Sequence, residues 1–191
     1  MYVHGVLVFI DGYGRDAVAC PLFIPKDAAP IKRTQPTVSA MNIESPIRVR
    51  HTCSQSLQAS ADRVFPLLCP VREAEWIPGW MPKRVISESG VAEPDAIFET
   101  NVEGHVATWL ITRHDPAARL VDMVQFIPDL VMIQLWIAVN HVTGDSCTCD
   151  VTYQYTALSP DGERFVRERD AIWYRDTFMR EWETLMNAFL G

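Results

Sequence analysis

Positive charge is scarce in this sequence. Its 191 residues include 17 lysine and arginine residues against 24 aspartate and glutamate residues, which gives a formal net charge of −7. A protein that binds nucleic acid presents a basic face to the phosphates, and docking on an anionic membrane needs the same charge. Long hydrophobic runs are also missing, since the apolar stretch 6–10 is far shorter than the roughly 20 residues that cross a bilayer. The sequence therefore predicts no nucleic-acid partner and no stable membrane insertion.

The sequence also lacks the patterns that hold metals or activate nucleophiles. Its five cysteines are odd in number, and their spacing fits no zinc or disulfide framework. Its five histidines are scattered, and no serine lies in a Gly-x-Ser-x-Gly turn. We therefore predict no metal, no cofactor and no assignable catalytic residue. The cysteines are expected to be small apolar residues in a reducing compartment, and because no signal-peptide pattern surrounds 6–10 the predicted location is the cytoplasm.

Prolines divide the chain into two parts. Residues 1–44 contain Pro21, Pro25, Pro30 and Pro36 without a sustained hydrophobic period, which is typical of a loosely structured extension. The hypothesis is that residues 1–40 precede the natural start of the protein at a later methionine. Residues 45–191 are predicted to form one domain.

Short segments separated by turn residues follow in that domain. An alternating pattern at 47–59 predicts the first strand, and two short helices are predicted at 61–68 and 70–76. The further strands are predicted at 83–90, 95–102, 105–113, 119–127, 130–142 and 146–157. Connections this short favour antiparallel hairpins over parallel crossovers. The fold class is therefore α+β, with a curved antiparallel sheet of about seven strands.

A long amphipathic helix is predicted at the C-terminus. It begins at Ser159 and Pro160, which suit an N-cap and a first helical residue, and it continues without interruption to about residue 190, for about 28 residues or roughly 42 Å. Its apolar stripe consists of Phe165, Ile172, Met179, Met186, Trp182 and Phe189. A helix with such a wide apolar face must lie along a large apolar partner, and the sheet is the candidate.

Three segments carry a resemblance to a known superfamily. They are 69–80 (Cys-Pro-Val-Arg-Glu-Ala-Glu-Trp-Ile-Pro-Gly-Trp), 153–159 followed by Gly162, and the helical ending from Glu181 to Leu190. Together they resemble uncharacterised polyketide-cyclase-like members of the START/birch-pollen-allergen (SRPBCC) superfamily, over residues 47–190. The resemblance implies a helix-grip fold, in which the sheet wraps around the C-terminal helix and encloses an apolar cavity. The superfamily includes lipid carriers, hormone receptors, aromatase/cyclases and chaperone activators, so the fold does not decide the function.

Burial cost indicates which strand faces line such a cavity. In 146–157 the apolar and tyrosine positions alternate with threonine, aspartate and glutamine, and an unpaired buried amide costs roughly 1–3 kcal/mol. The face that includes Tyr153 and Tyr155 is therefore expected to point inwards, as are the faces that include Val131, Met123 and Trp109. The predicted ligand-binding residues are Trp76, Trp80, His105, Trp109, Met123, Gln125, Tyr153, Tyr155, Trp173 and Asp176.

Several interpretations stay open at this point. The inward residues could fill a closed core rather than line a cavity. Residues 72–80 could form a lid with tryptophans at the cavity mouth, or a surface helix with solvated charges and Trp76 as a packing anchor. Met132 and Trp136 on the outer sheet face predict a homodimer contact.

The leading functional prediction is binding or carriage of a small hydrophobic or aromatic ligand in an internal cavity. The alternative is a polyketide cyclase/dehydratase-type enzyme, in which His105 or Asp176 would be the base and Tyr153 a hydrogen-bond donor. A third interpretation is an interaction protein of the chaperone-activator kind that uses the outer sheet face.

Overall fold

The computed structural model describes residues 41–191. The predicted extension 1–44 falls almost entirely on residues outside this part, so its looseness stays a prediction. Within the described part, the first strand begins at Arg48. No helix in the described part is long and apolar enough to cross a membrane.

The sheet confirms the predicted architecture. Its strands are β1 (Arg48–Leu57), β2 (Arg84–Ile86), β3 (Ile97–Val102), β4 (His105–Asp115), β5 (Leu120–Ile127), β6 (Val131–Thr143) and β7 (Ser146–Ala157). They form one sheet in the order β1-β7-β6-β5-β4-β3-β2, and every neighbouring pair is antiparallel. β7 therefore returns between β6 and β1, and the other strands follow as hairpins.

Alternation along the strands separates a buried inner face from an outer face. On β7 the side chains from Cys147 to Tyr155 are buried at every second position, and the same holds on β6 from Val131 to Val139. These are the faces that were predicted to point inwards because burying the polar residues of the opposite faces would be costly. At the β3–β4 connection Glu103 and Gly104 both have positive φ, 51° and 88°. Two such residues match the twist of a two-residue hairpin, which fixes Glu103 at the tip.

The segment after β1 is wound more tightly than the pattern predicts. One turn of α-helix, α1 (Ala61–Val64), continues as a 3₁₀ turn at Phe65–Leu67, and a second 3₁₀ turn lies at Arg72–Glu75. The reason is proline, because Pro66 and Pro70 lack the amide hydrogens that longer α-helices need.

The predicted strand 83–90 is mostly a loop, and only Arg84–Ile86 pairs with β3. The hydroxyl of Ser87 donates to the Glu93 carboxylate at 2.7 Å, and the backbone amide of Ser89 donates to the same group. These local bonds replace a strand ladder.

The C-terminal helical region is interrupted, so the predicted uninterrupted helix from residue 160 was wrong. Helix α2 (Pro160–Glu168) ends at Arg169, which has φ −98° and ψ 59°. Asp170 then caps a new helix, because its carboxylate accepts hydrogen bonds from the amides of Ile172 and Trp173 at 2.9 and 2.8 Å.

The new helix is the long C-terminal helix of 20 residues. It runs through α3 (Ala171–Trp173), a π-helical segment (Tyr174–Met179) and α4 (Arg180–Leu190). The sheet grips this helix, as predicted. The buried amide of Gln55 on β1 donates to the Met179 carbonyl at 2.9 Å, and the Asn187 amide donates to the Ser56 carbonyl at 3.0 Å.

The break and the π segment also change the apolar stripe of the helix. Met179, Met186 and Trp182 are buried as predicted, whereas Ile172 is 65% exposed and Phe189 is 44% exposed. A seven-residue repeat assumes one continuous α-helix, and an inserted π turn rotates everything before it relative to everything after it.

Candidate ligand-binding cavity

A cavity of about 380 Å³ lies between the inner sheet face and the C-terminal helix. β3 to β7 supply one wall, the helix supplies the opposite wall, and the segment after the second 3₁₀ turn closes one end. Ligand pockets commonly measure roughly 300–1,000 Å³. The closed-core interpretation is therefore wrong for this domain.

Aromatic rings form much of the wall. The lining rings belong to Trp80, Trp109, Tyr153, Tyr155, Trp173, Phe178 and Trp182. They support one another: the rings of Tyr153 and Phe178 meet edge to face at 5.5 Å, and those of Trp173 and Phe178 stack at 5.3 Å. The second pair is five residues apart, which only the π segment brings together on one face.

Of the polar side chains that line the same cavity, four are buried and have no hydrogen-bond or ion-pair partner in residues 41–191. They are Glu73, Gln125, Tyr153 and Tyr155, and their residues are 2–7% exposed. Within residues 41–191 no hydrogen-bond or ion-pair partner contacts the polar end of any of them. In that part, every polar side-chain atom that is fully shielded from solvent has a hydrogen-bond partner. Their polar ends therefore contact the cavity space, where a ligand would meet them.

Glu73 is the most unusual of these groups. Its residue is 6% exposed, and burial raises the pKa of its carboxyl group from 4.5 to about 8. Burial also raises the pKa of Tyr153 well above its usual range, and the nearby Glu73 charge adds to this rise. The two groups therefore share one electrostatic environment, in which both carry a proton at neutral pH.

A buried arginine stands at the cavity mouth. The Arg169 guanidinium donates to the Phe165 carbonyl at 3.0 Å and to the Glu103 carboxylate at 2.6 Å. It also lies 3.3 Å from the centroid of the Phe165 ring and 5.4 Å from that of Trp173. Its position is set by the helix break, and the hairpin tip brings Glu103 to it. This cation is already neutralised by a carboxylate.

Seven of the ten predicted ligand-binding residues line the cavity. They are Trp80, Trp109, Met123, Gln125, Tyr153, Tyr155 and Trp173. Trp80 is held there by its indole nitrogen, which donates to the Pro70 carbonyl at 2.8 Å. Whether these residues bind a ligand stays a prediction.

The other three predicted residues lie elsewhere. Trp76 is a packing anchor, because its ring contacts Trp182 at 5.3 Å and its indole nitrogen donates to the Leu67 carbonyl. His105 follows the β3–β4 hairpin tip, where the strand extends beyond the core, and it is exposed. Asp176 points away from the cavity and pairs with Arg175 at 2.8 Å, because the π segment turns it outwards.

The sequence-based list missed Glu73, Arg169 and Phe178. Glu73 lies among charged residues, which favoured a solvated surface. Arg169 lies at the helix break and Phe178 lies in the π segment, and an uninterrupted helical period predicts neither of these irregularities. One signal was available: Asp170 followed by an apolar run is a helix N-cap pattern.

Solved structures share this fold. Norcoclaurine synthase from Thalictrum flavum, in complex with dopamine and hydroxybenzaldehyde, matches with a TM-score of 0.57 at 16% identity, over 76% of this chain and 88% of its own. A START superfamily protein from Mycobacterium smegmatis matches with a TM-score of 0.54 at 12% identity, over 74% and 97%. An uncharacterised protein from Bacillus thuringiensis matches with a TM-score of 0.54 at 15% identity, over 75% and 100%.

No protein-family model and no curated protein matches the sequence. The structural matches establish that the protein has a helix-grip fold, which it shares with norcoclaurine synthase and with the START superfamily protein. At these identities they establish the fold alone, and the function must be argued from the cavity.

Proposed function

We propose that this protein binds or carries a small aromatic or otherwise hydrophobic molecule in the cavity. The observation that supports this proposal is the combination of about 380 Å³ of space, aromatic walls and four buried polar groups that have no partner within residues 41–191. Apolar walls with a few convergent polar groups are typical of small-molecule sites. A norcoclaurine synthase with this fold was solved with dopamine and hydroxybenzaldehyde, which supports a cavity suited to small aromatic molecules.

Binding can be tested with the fluorescent dye N-phenyl-1-naphthylamine and with native mass spectrometry of the purified protein. We expect saturable dye binding that Ile133→Trp weakens at least tenfold, because Ile133 lines the cavity and the larger side chain fills it. Met132→Trp is the matched control, since Met132 is the next residue on β6 and faces outwards. No saturable binding, together with no co-purifying ligand, would refute the proposal.

A second candidate function is proton-transfer catalysis of the cyclase/dehydratase type in the same cavity. The observation that favours it is Glu73, whose pKa of about 8 lies near neutral pH, as a general acid or base requires. Tyr153 lies in the same environment and carries a hydroxyl that can donate to a carbonyl oxygen. His105 and Asp176, which the sequence suggested as bases, lie outside the cavity.

The enzyme alternative can be tested with 2-tetralone in deuterated buffer. Abstraction of a proton next to the carbonyl by Glu73 would exchange that position for deuterium, which NMR detects. We expect the wild type to exceed the buffer rate and Glu73→Gln to lose this excess, whereas Glu75→Gln keeps it. Exchange at the buffer rate with the wild type would remove this alternative for ketone substrates.

The outer sheet face is the site of the proposed homodimer. Met132 and Trp136 are half-buried there, and the Arg50 guanidinium lies 4.8 Å from the centroid of the Trp136 ring. Sedimentation that shows only monomer at high concentration would end this proposal.

Four cysteines in the described part are free thiols, which supports a reducing compartment and the proposed cytoplasmic location.

A further inference from the structure

We propose that the cavity's ligand carries a protonated amine on an aromatic body, and that the Glu73 carboxylate balances its charge. This inference rests on the proposed ligand-binding function, and it specifies the chemical class of the ligand. It follows from the partners of Glu73, from the charges that line the cavity and from the faces of its rings.

Glu73 has no partner of its own in residues 41–191. Its neighbours on the same 3₁₀ turn, Arg72 and Glu75, pair with each other outside at 3.0 Å. A buried carboxyl group without a hydrogen bond is costly, and proteins normally satisfy such groups. Because Glu73 lines the cavity, a ligand donor is the group that can reach it.

The charges of the lining residues favour a cation. The charged lining residues are Glu73, Glu103, Glu181 and Arg169. Arg169 is already paired with Glu103, so no free cation among them is available to an anionic ligand. A carboxylate ligand such as a fatty acid would face an excess of negative charge, whereas an ammonium group would compensate it.

The rings add to the same preference. The faces of tryptophan and tyrosine rings attract ammonium groups, most strongly where water is excluded. Trp80, Trp109 and Tyr153 line the cavity together with Glu73. Flat rings also stack well on an aromatic ligand body. An aromatic amine would therefore use both the walls and the carboxylate.

Amine binding by this site must depend on pH. An ammonium pairs with the ionised carboxylate, so the protein releases a proton when the amine binds at neutral pH. The other titratable lining side chains are Tyr153 and Tyr155, whose pKa values burial raises, and Glu103 and Glu181 at the mouth. No histidine is among the lining residues that the structure describes. Glu73, which lines the cavity and whose pKa burial raises to about 8, is the group to which we assign the pH dependence of amine binding.

The experiment compares three probes that share a naphthalene ring and differ in its substituent: 2-(aminomethyl)naphthalene, 2-(hydroxymethyl)naphthalene and 2-naphthoate. Calorimetric titration at pH 6, 7, 8 and 9 gives each affinity. A benzylic ammonium titrates about one unit below the 10.4 of lysine, so the amine is almost fully charged from pH 6 to pH 8 and still mostly charged at pH 9. We expect the amine to bind at least tenfold more tightly than the alcohol at pH 8, because hydrogen bonds to charged groups are strong. Its affinity should rise about tenfold from pH 6 to pH 7 and level off above about pH 8.

Glu73→Gln provides the decisive comparison. We expect this variant to bind the amine and the alcohol equally and without a pH slope, whereas Glu75→Gln, two residues away and exposed, keeps the wild-type profile. The inference is overturned if the alcohol or naphthoate binds as tightly as the amine, or if Glu73→Gln keeps the preference. Binding of N-phenyl-1-naphthylamine without an amine preference refutes only this inference, whereas failure of the dye and of all three probes refutes the ligand-binding function as well.

Discussion

Replacing Glu73 by glutamine should change how the stability of the protein depends on pH. The glutamine side chain of the variant would have nearly the same shape as the glutamate but would not titrate. In the wild type the carboxyl group is buried, and burial raises its pKa from 4.5 to about 8. A group with a raised folded-state pKa stabilises the fold below its unfolded pKa, and that stabilisation is lost as the pH rises towards the folded pKa.

The magnitude follows from the size of the rise. A rise from 4.5 to about 8, at about 1.36 kcal/mol per unit, corresponds to about 5 kcal/mol lost between those two pH values. The free energy of unfolding of the wild type should therefore fall by about 1.4 kcal/mol per pH unit from pH 5 to pH 7.5 because of this one group. A domain is typically stable by only about 5–15 kcal/mol, so the effect is large.

Urea unfolding, followed by circular dichroism at pH 5, 6, 7 and 8, measures this difference. The informative quantity is how the difference in free energy of unfolding between the two proteins changes with pH. The unpaired amide of the variant adds a cost that is the same at every pH. His114, whose pKa burial lowers, is common to both proteins, so its contribution cancels in the comparison. If this difference in free energy of unfolding stays constant from pH 5 to pH 8, the Glu73 carboxyl group is hydrated in the folded state. That result would refute the argument that burial raises its pKa.

Three further predictions concern the scaffold, and thermal unfolding measures each of them. Gly162→Ala should destabilise the domain by about 1–3 kcal/mol, because an added Cβ would overlap the Leu130 carbonyl oxygen, which belongs to the backbone and cannot move freely. An unchanged melting temperature would show that the contact between α2 and Leu130 is loose. Asp170→Ala should cost about 1 kcal/mol by removing the cap of the C-terminal helix, and Asp170→Asn should restore most of it. A chain that begins at Met41 should keep the full melting temperature, and a large loss would refute the hypothesis of a loose extension.

The sheet could be predicted from the sequence because its signal is local and repeated. Alternation along β7 and β6 gave both the strands and their inner faces, and short turns gave antiparallel pairing. This was enough to place Trp109, Gln125 and Tyr153 on the cavity wall, because successive side chains of a strand alternate between the two faces of the sheet.

The helical wall could not be predicted in the same way. A helical period gives a face only while the helix continues, and here a capping aspartate and a π segment each change the phase. Phe178 lines the cavity and Asp176 does not. One uninterrupted period cannot decide between them, because the two positions lie at similar angles on either side of the predicted apolar stripe. Arg169 lies at the break itself, where no period applies.

Glu73 shows why a run of charges can conceal a buried site. Side chains three residues apart lie above one another in a 3₁₀ helix. Arg72 and Glu75 therefore share the outer face, where they form an ion pair, and Glu73 and Trp76 share the inner face, where both are buried. Which of these side chains are buried depends on a helix with three residues per turn rather than 3.6. The prolines of this segment favour such a turn, but the amino-acid composition does not reveal it. A single carboxyl group is thus placed inside an aromatic cavity by the winding of one short turn, and the affinity of that cavity for amines and its response to pH should both depend on it.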